Sequence, residues 1–355
     1  MHRAMTEEEK YMKRCIELAK NALCQAAPNP MVGAVIVCNG EIIGEGYHIR
    51  CGEAHAEVNA IRSVKKVELL KQSTIYVSLE PCSHYGKTPP CADLIIEKQI
   101  PRIVIGCQDP FAKVAGRGIQ KLREAGREVT VGVLEDECKQ LISRFITFHT
   151  HHRPFITLKW AESADGYLDK LRTDGKPVIL SNPQTSMLVH KRRAEHTAIL
   201  VGTRTALLDN PSLSVRNWYG RSPMRMVIDR RLQLPTSLHL FDLSIPTLVF
   251  TEEKQPPQPN LEFIQLDWHQ DLLPQIMKVL YERNLQSLLV EGGSRLLQSF
   301  IDAGLWDEVF IEQSPVRLDG GIQAPTISSC YFTKEDYCFG HKIRKITHFS
   351  TSENG

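Results

Sequence analysis

The chain has 355 residues, a formal net charge of +2 at pH 7 and 42% hydrophobic residues, which suits about two domains of ordinary size. A balance so close to neutral lacks the basic excess that nucleic-acid binding needs, and no apolar run is long enough to span a bilayer, so small-molecule chemistry away from the membrane is expected. Ten cysteines, two of them candidate metal ligands and the other eight without paired spacing, suit a reducing compartment, the cytosol.

The N-terminus reads as an amphipathic helix, opened by Thr6 and acidic residues and running around Tyr11–Cys24, and not as a signal peptide. MVGAVIVCNG and EIIGEGYHI read as a hairpin about an Asn39-Gly40 turn, because that dipeptide tolerates the positive φ of a tight hairpin. The helix AEVNAIRSV follows, then the strand TIYVSLE, the helix CADLIIEKQ, the strand RIVIGCQDP, the helix GIQKLREAG closed by Gly126, and the strand EVTVGVLE. Strands alternating with helices imply a mixed sheet with helices on both faces.

The histidine-rich stretch within ISRFITFHTHHRPFITLKWA marks a boundary, giving domains over 1–148 and 149–355. His149, His151 and His152 have no partner ligand and read as a solvated hinge, not a second metal site. Beyond them come the strand RPFITLKWA, a helix across Pro183–Glu195, the strand AILVG, a turn LLDNPSLSVR and the strand RMVIDRRLQLP. The strands PTLVF, LEFIQL, SLLVEGG and EVFIEQ follow, with helices DLLPQIMKVLYERN and SRLLQSFIDAG on either side of SLLVEGG, which makes a second α/β domain.

Two segments carry chemistry, CGEAHAEVNA and SLEPCSHYGKTPPC. His55, Cys82 and Cys91 offer one imidazole and two thiolates, which leave the fourth tetrahedral position of Zn²⁺ open for water. Glu57, two residues from His55, reads as a general acid/base and not a ligand. Separately these features mean little, since His-x-Glu is common on solvated helices and single cysteines are often small buried hydrophobes. Their ordered combination, with an apolar strand running into Pro81-Cys82, carries the zinc reading. Both segments begin helices, whose positive ends favour thiolate. In VEGGSRLL, a strand ends in Gly292-Gly293 and opens a helix, so backbone N–H groups can approach a diphosphate closely. A two-glycine turn alone is also an ordinary strand-to-helix junction.

TIYVSLEPCSHYGKTPPCADLII, with PNPMVGAVIV and GEGYHIRCGEAHAEVNAI before it, resembles the deaminase half of the bifunctional riboflavin-biosynthesis deaminase/reductase family. KWAESADG, AILVGTRTALLDNPSLSVR and LLVEGGSRLLQSFI resemble its reductase half, so the resemblance covers nearly the whole chain. It implies an N-terminal cytidine-deaminase-like three-layer α/β/α domain and a C-terminal dihydrofolate-reductase-like α/β domain. The second cysteine lies beyond the usual PCxxC spacing, which is that family's hallmark, and the inserted loop carries His84, Lys87 and Thr88 to receive a phosphorylated ribosyl group. A solvated loop cation is the alternative for Lys87. Asn29 and His48 look like pyrimidine-ring and ribose contacts, or else turn and cap residues.

In the second domain the resemblance implies that Ala161, Thr205, Asp209 and the run Gly293, Ser294, Arg295, Leu296, Leu297, Gln298, Ser299 hold NADPH. Lys159, Arg193, Leu213, Arg216 and Glu291 would hold the substrate, with Lys159 and Asp209 orienting the sugar and the arginines chelating phosphate. Asp165 also matches the family pattern, and Arg204 is the candidate for the cofactor's 2′-phosphate. Ile179-Leu180-Ser181 stands where the family commonly has Trp-Ile-Thr, and the loop Asp169–Pro177 is charged, so that side of the cofactor site is expected to be built differently. The implied activity is zinc-dependent deamination of a ribosylamino-diaminopyrimidinone phosphate followed by NADPH-dependent reduction of its ribosyl group, in a homo-oligomer with no nucleic-acid or membrane partner. A nucleoside or RNA-base deaminase would want basic and aromatic surface, and a noncatalytic zinc protein would not need Glu57 and would close its metal with a fourth protein ligand.

Overall fold

In the computed structural model, which describes residues 4–23, 25–85, 89–110, 115–172, 176–328 and 331–347, the chain divides into two units, Met1–His152 and Arg153–Gly355. The division lies past the expected 148/149 boundary because the helix before it runs on through the histidines. His149 packs on the rings of Phe145 and Phe148, and the helix stops only where His152 turns left-handed at φ 54°.

The first unit contains α1 (Glu7–Ala19), β1 (Gly33–Cys38), β2 (Glu41–Tyr47), α2 (Ala56–Ser63), β3 (Thr74–Leu79), α3 (Cys91–Glu97), β4 (Arg102–Cys107), α4 (Arg117–Glu124), β5 (Glu128–Val131), α5 (Glu135–Leu141) and α6 (Ser143–His151). Thr6 opens α1 through a reciprocal capping box with Glu9, which satisfies two otherwise orphaned N–H groups. Asn39 and Gly40, at φ 52° and 79°, make the tight turn between β1 and β2. The sheet order is β2-β1-β3-β4-β5, with β1 antiparallel to both neighbours and β3, β4 and β5 parallel.

Because successive strand residues face opposite ways, the buried strands serve two cores. Ala34, Ile36, Ile75, Val77, Ile103 and Ile105 pack under α2, α3 and α4. Val35, Val37, Tyr76 and Val104 pack under α1 and α5. This is the expected three-layer α/β/α arrangement. One glycine sets how closely α2 can lie on β2: a Cβ at Gly46 would come within 2.3 Å of Ala60 N and 2.7 Å of Ala56 O.

The second unit contains β6 (Phe155–Glu162), β7 (Tyr167–Asp169), α7 (Pro183–Ala194), β8 (Ala198–Gly202), α8 (Thr203–Asp209), β9 (Met224–Ile228), β10 (Thr247–Thr251), β11 (Leu261–Gln265), α9 (Leu272–Glu282), β12 (Ser287–Glu291), α10 (Ser294–Asp302), β13 (Glu308–Gln313), β14 (Ile322–Gln323), β15 (Phe332–Cys338) and β16 (His341–Thr347). A nine-stranded sheet runs β11-β10-β9-β8-β12-β6-β13-β16-β15. Strands from β11 to β13 are parallel, and the hairpin β15-β16 closes the edge antiparallel. β12 inserts between β8 and β6, so the strand order reverses there, and a crevice opens at the carboxyl ends of these strands.

Among the departures from the sequence expectation, three lie in the second unit's main sheet and its connections. Part of the stretch expected as a turn is the short helix α8, which Asn210 ends at φ 40°. RMVIDRRLQLP leaves the sheet at Ile228, because the Asp229 carboxylate accepts the N–H groups of Gln233 and Leu234 and folds a turn. The β15-β16 hairpin was not expected, since an edge pair tied by exposed charges, such as Lys342 to Glu335, carries little apolar alternation. Among the described residues no helix is long and apolar enough to cross a membrane.

Candidate active sites

In the first unit, the chain ends strand β3, passes through Pro81-Cys82, and begins α3 at Cys91, while His55 is the N-cap of α2. These meet as a cluster whose ligand atoms all lie within 4.8 Å of one another. Cys82 Sγ is 3.6 Å and Cys91 Sγ 3.4 Å from His55 Nδ1. A tetrahedral zinc with Zn–S about 2.3 Å and Zn–N about 2.0 Å has S···N edges of roughly 3.5 Å, so the three donors fit that metal. The backbone N–H of Cys91 also donates to Cys82 Sγ at 3.2 Å, a further stabiliser of negative sulfur.

The electrostatics agree. The Cys82 thiol is held well below the ordinary thiol range, first by its hydrogen bond with the Cys91 thiol and then by His55 and the Cys91 N–H, whereas the Cys91 thiol is pushed far up by the neighbouring Cys82 sulfur and by burial. Two adjacent sulfurs cannot both ionise without a cation between them, and zinc is such a cation. Glu57, in the first turn of α2, is 3% exposed, and burial pushes its carboxyl up to about 7, with the Cys82 charge adding to the shift. Beside the cluster, His48 meets His55 edge-on at 5.5 Å between ring centres. Its Nδ1 lies 3.1 Å from the carbonyl of Ala54, which can only accept, so that nitrogen carries the proton and Nε2 accepts from Asn29 Nδ2 at 3.1 Å. Burial lowers the His48 pKa.

In the second unit, a cavity of about 800 Å³ opens at the carboxyl ends of β6, β8, β9 and β12, within the usual size of a cofactor site. Lys159 and Glu291 are on its wall. Arg193 grips Glu291 with two N–H groups, Nε to Oε1 at 3.1 Å and Nη2 to Oε2 at 2.7 Å. Burial acts to raise the Glu291 carboxyl, but Arg193 outweighs it and holds the group below its ordinary range. Thr205 Oγ1 accepts the Gly293 N–H at 2.8 Å, which ties α8 to the start of α10. Arg172 bridges Asp169 and Asp209 across the charged loop. Leu213, buried in the cavity wall, sits at φ 49°, a conformation that costs a branched residue roughly 1–2 kcal/mol and is typical of functional sites.

Residues 154–349 match the model of the RibD C-terminal domain, and residues 5–107 match that of the cytidine and deoxycytidylate deaminase zinc-binding region. The riboflavin biosynthesis protein RibD of Aquifex aeolicus is 39% identical over 323 residues, covering 89% of each chain. The chain belongs to the RibD family. The RibD of Bacillus amyloliquefaciens is 38% identical over 331 residues, covering 91% of this chain and 88% of its own. A crystal structure from Thermotoga maritima, of a diaminohydroxyphosphoribosylaminopyrimidine deaminase/5-amino-6-(5-phosphoribosylamino)uracil reductase, is 38% identical and superposes with a TM-score of 0.87, over 96% of this chain and 99% of that one. Like other RibD proteins, this chain joins a zinc-dependent deaminase to an NADPH-dependent reductase of riboflavin biosynthesis.

Most residues expected from the RibD resemblance converge on the two sites. Lys159, Ala161, Arg193, Arg204, Thr205, Asp209, Leu213, Glu291 and Gly293 to Leu296 all line the cavity. Leu297, Gln298 and Ser299 do not. The helix turns about 100° per residue, so Leu297 points into the hydrophobic core, Gln298 pairs with Asp302 and Thr326, and the Ser299 hydroxyl donates to the Leu296 carbonyl. Arg216 is exposed outside the cavity wall and bonds Ser212. Asp165 is held at about 2, mainly by the Ser163 hydroxyl and then by the N–H groups of Leu318 and Asp319, as a turn anchor. His84 is exposed two residues past Cys82, and Lys87 and Thr88 lie outside the described residues. In place of Trp-Ile-Thr, Ile179 faces solvent, Leu180 is buried, and Ser181 Oγ donates to Glu312.

Two polar groups were missed by the sequence reading. Glu80, 4% exposed, accepts the backbone N–H groups of Asp109, Gly116, Gly118 and Ile119 and so braces the turn into Pro81-Cys82. A glutamate immediately before Pro-Cys was the available signal. Glu312 and His341 form a buried pair at 2.7 Å, and nothing local in EVFIEQ marks it.

Proposed function

We propose that His55, Cys82 and Cys91 hold one zinc ion, that Glu57 carries the protons of the deamination, and that the second unit's cavity holds NADPH against the sugar of the same molecule. The substrate in this reading is 2,5-diamino-6-ribosylamino-4(3H)-pyrimidinone 5′-phosphate, in keeping with the two activities for which the Thermotoga maritima relative is named. Zinc, when bound, supplies a Lewis acid that brings the pKa of water at the open coordination position towards 7. As the water oxygen bonds to ring C2, its two protons end on a ring nitrogen and on the departing ammonia. Glu57 is placed to carry both, as a buried carboxyl in the first turn of α2 two residues from His55. Asn29 and His48 present polar atoms beside His55 for the pyrimidine and ribose.

NADPH, when bound, supplies the hydride that reduces C1′ of the ring-opened sugar to the ribityl level. Lys159 orients and polarises that sugar from the cavity wall. The Arg193–Glu291 pair shapes the pocket beside it, and the first turn of α10 offers backbone donors to the cofactor's diphosphate. The observation that carries this reading is the spacing of the three zinc donors with a buried carboxyl two residues from one of them. Incubating the purified protein with the diaminopyrimidine phosphate, with and without NADPH, and weighing the products tests it. A deaminated product should form without NADPH and a deaminated, reduced one with it; absence of ammonia from zinc-loaded protein would overturn the assignment.

The same reading has the enzyme act in the cytoplasm as a homo-oligomer. Thiol ligands and free buried cysteines favour a reducing compartment. The edge strand β15 presents unpaired backbone groups along which a second copy can pair. A monomer mass by light scattering would rule out the oligomer.

A further inference from the structure

Lys159 lies in the middle of the parallel sheet, and register fixes its neighbours. Its partner on β12 is Glu291 and its partner on β13 is Phe310, while Glu312 is opposite Ala161. Residues two apart on a strand share a face, so Glu312 projects on the Lys159 side, one pleat further along. Two carboxylates therefore flank one ammonium. Glu291 already has a guanidinium on both oxygens. Glu312 is held differently: Ser181 Oγ donates to Oε2 and His341 Nδ1 to Oε1, each at 2.7 Å, and the Thr185 hydroxyl is a third hydrogen-bond partner. Glu312 and His341 are only 4% and 6% exposed. A hydroxyl brings no charge and an imidazole brings one only when protonated, whereas a buried carboxylate needs a counter-cation. Lys159 is the lysine placed to be one.

We propose that Glu312, fixed by Ser181, Thr185 and His341, is a positioning residue for Lys159, holding the ammonium at the cavity wall and keeping it charged for the reduction. This rests on the reading of Lys159 as the group that orients and polarises the sugar. Burial pushes the Lys159 ammonium below the ordinary lysine range, Glu291 and Glu312 oppose that shift, and Arg193 and Arg192 add to it. Burial likewise acts to raise the Glu312 carboxyl, and Lys159 leads the interactions that bring it down instead. With the Glu312 charge gone, Lys159 would face Glu291 against Arg192 and Arg193, with His190 on α7 and His341 on β16 nearby. Its pKa must then fall.

Glu312→Gln in the full-length protein keeps the shape and removes the charge. The rate at which acetic anhydride labels Lys159, followed by peptide mass spectrometry across pH, reads the amine without turnover. Labelling at a fixed pH below the midpoint should rise about ten-fold for each unit of lowered pKa, since only the neutral amine reacts. The reductase kcat on pre-deaminated substrate should fall by roughly ten-fold or more while the KM for NADPH holds. His341→Asn, which keeps an N–H donor, should preserve most of kcat, and His341→Ala should not. Wild-type labelling and kcat in folded E312Q overturn the proposal. Should E312Q not fold, unchanged Lys159 labelling in Ser181→Ala combined with Thr185→Val and His341→Ala overturns it equally. Lys159→Met separates the two layers: full reduction by K159M overturns the reading of Lys159, whereas loss in K159M with none in E312Q overturns the positioning role alone.

Discussion

Glu80→Gln should destabilise the deaminase unit and weaken its zinc site together, although residue 80 is not one of the zinc ligands. Its carboxylate accepts four backbone N–H groups, Asp109 and Gly116 on one oxygen at 3.2 and 2.9 Å, Gly118 and Ile119 on the other at 2.8 and 3.2 Å. Glutamine keeps one oxygen, but its amide nitrogen confronts two N–H donors that it cannot accept. A hydrogen bond to a charged group is worth about 1.5–3 kcal/mol, so losing two costs about 3–6 kcal/mol, much of the roughly 5–15 kcal/mol by which domains are stable. For a unit of this size about 1 kcal/mol moves Tm by roughly 2–4 °C, so a fall of roughly 6 °C or more is expected. The bonds anchor the residue before Pro81-Cys82, so the ligand loop loosens and zinc affinity falls. Calorimetry and zinc competition against a chromophoric chelator measure both, with the reductase rate on the same sample as a folding check. An unchanged transition with unchanged zinc affinity would refute the bracing role.

Cys82→Ser should lose metal and ammonia release together, and retention of both would remove Cys82 from the ligand set. Glu57→Gln should keep about one zinc per chain and lose deamination by about 10²–10⁴-fold, while still reducing pre-deaminated substrate; lost NADPH oxidation would show that the two sites are not independent. Arg204→Ala should narrow the preference for NADPH over NADH in steady-state rates, and an unaltered preference would move the 2′-phosphate contact elsewhere, Arg172 and Arg295 lining the same cavity. Burial acts to raise the Asp242 carboxyl, but Ser244 and Arg225 hold it down at about 2. Its folded pKa is below its unfolded one, so the stabilisation is full above about pH 4 and fades towards pH 2. Discounted for an exposed carboxylate, Asp242→Asn should cost roughly 1 kcal/mol at neutral pH, and a cost that persists at pH 2 in denaturant titrations would contradict the pairing.

The deaminase site was legible because its chemistry is local. His55 and Glu57 are two residues apart at one helix start, and Cys82 and Cys91 bracket the turn after one strand, so spacing and element type together place the donors. Glu80 shows where that stops: its partners come from 29 to 39 residues further along, from a turn whose path only the folded sheet defines. In the reductase unit, resemblance supplied a consecutive run from Gly293 to Ser299, but a helix presents one face, and only the first turn of α10 reaches the cavity.

The hardest region to read was the sheet face beneath α7, and the reason is physical. That helix buries Thr185, His190 and Ala194, so most of what it covers is polar and the usual apolar stripe is missing. Under it lie Thr157, Lys159, Glu291 and Glu312; His196 bonds Thr157, Arg193 bonds Glu291, His341 and Ser181 bond Glu312, and the two carboxylates offset the burial of the Lys159 ammonium. A buried layer of this kind is stable only when its charges are paired and its hydrogen bonds complete. Every partner is thereby constrained by a residue far away in the chain, which no local window can display. The same constraint fixes the cavity wall, because an ammonium whose carboxylate neighbours are themselves pinned has little room to drift.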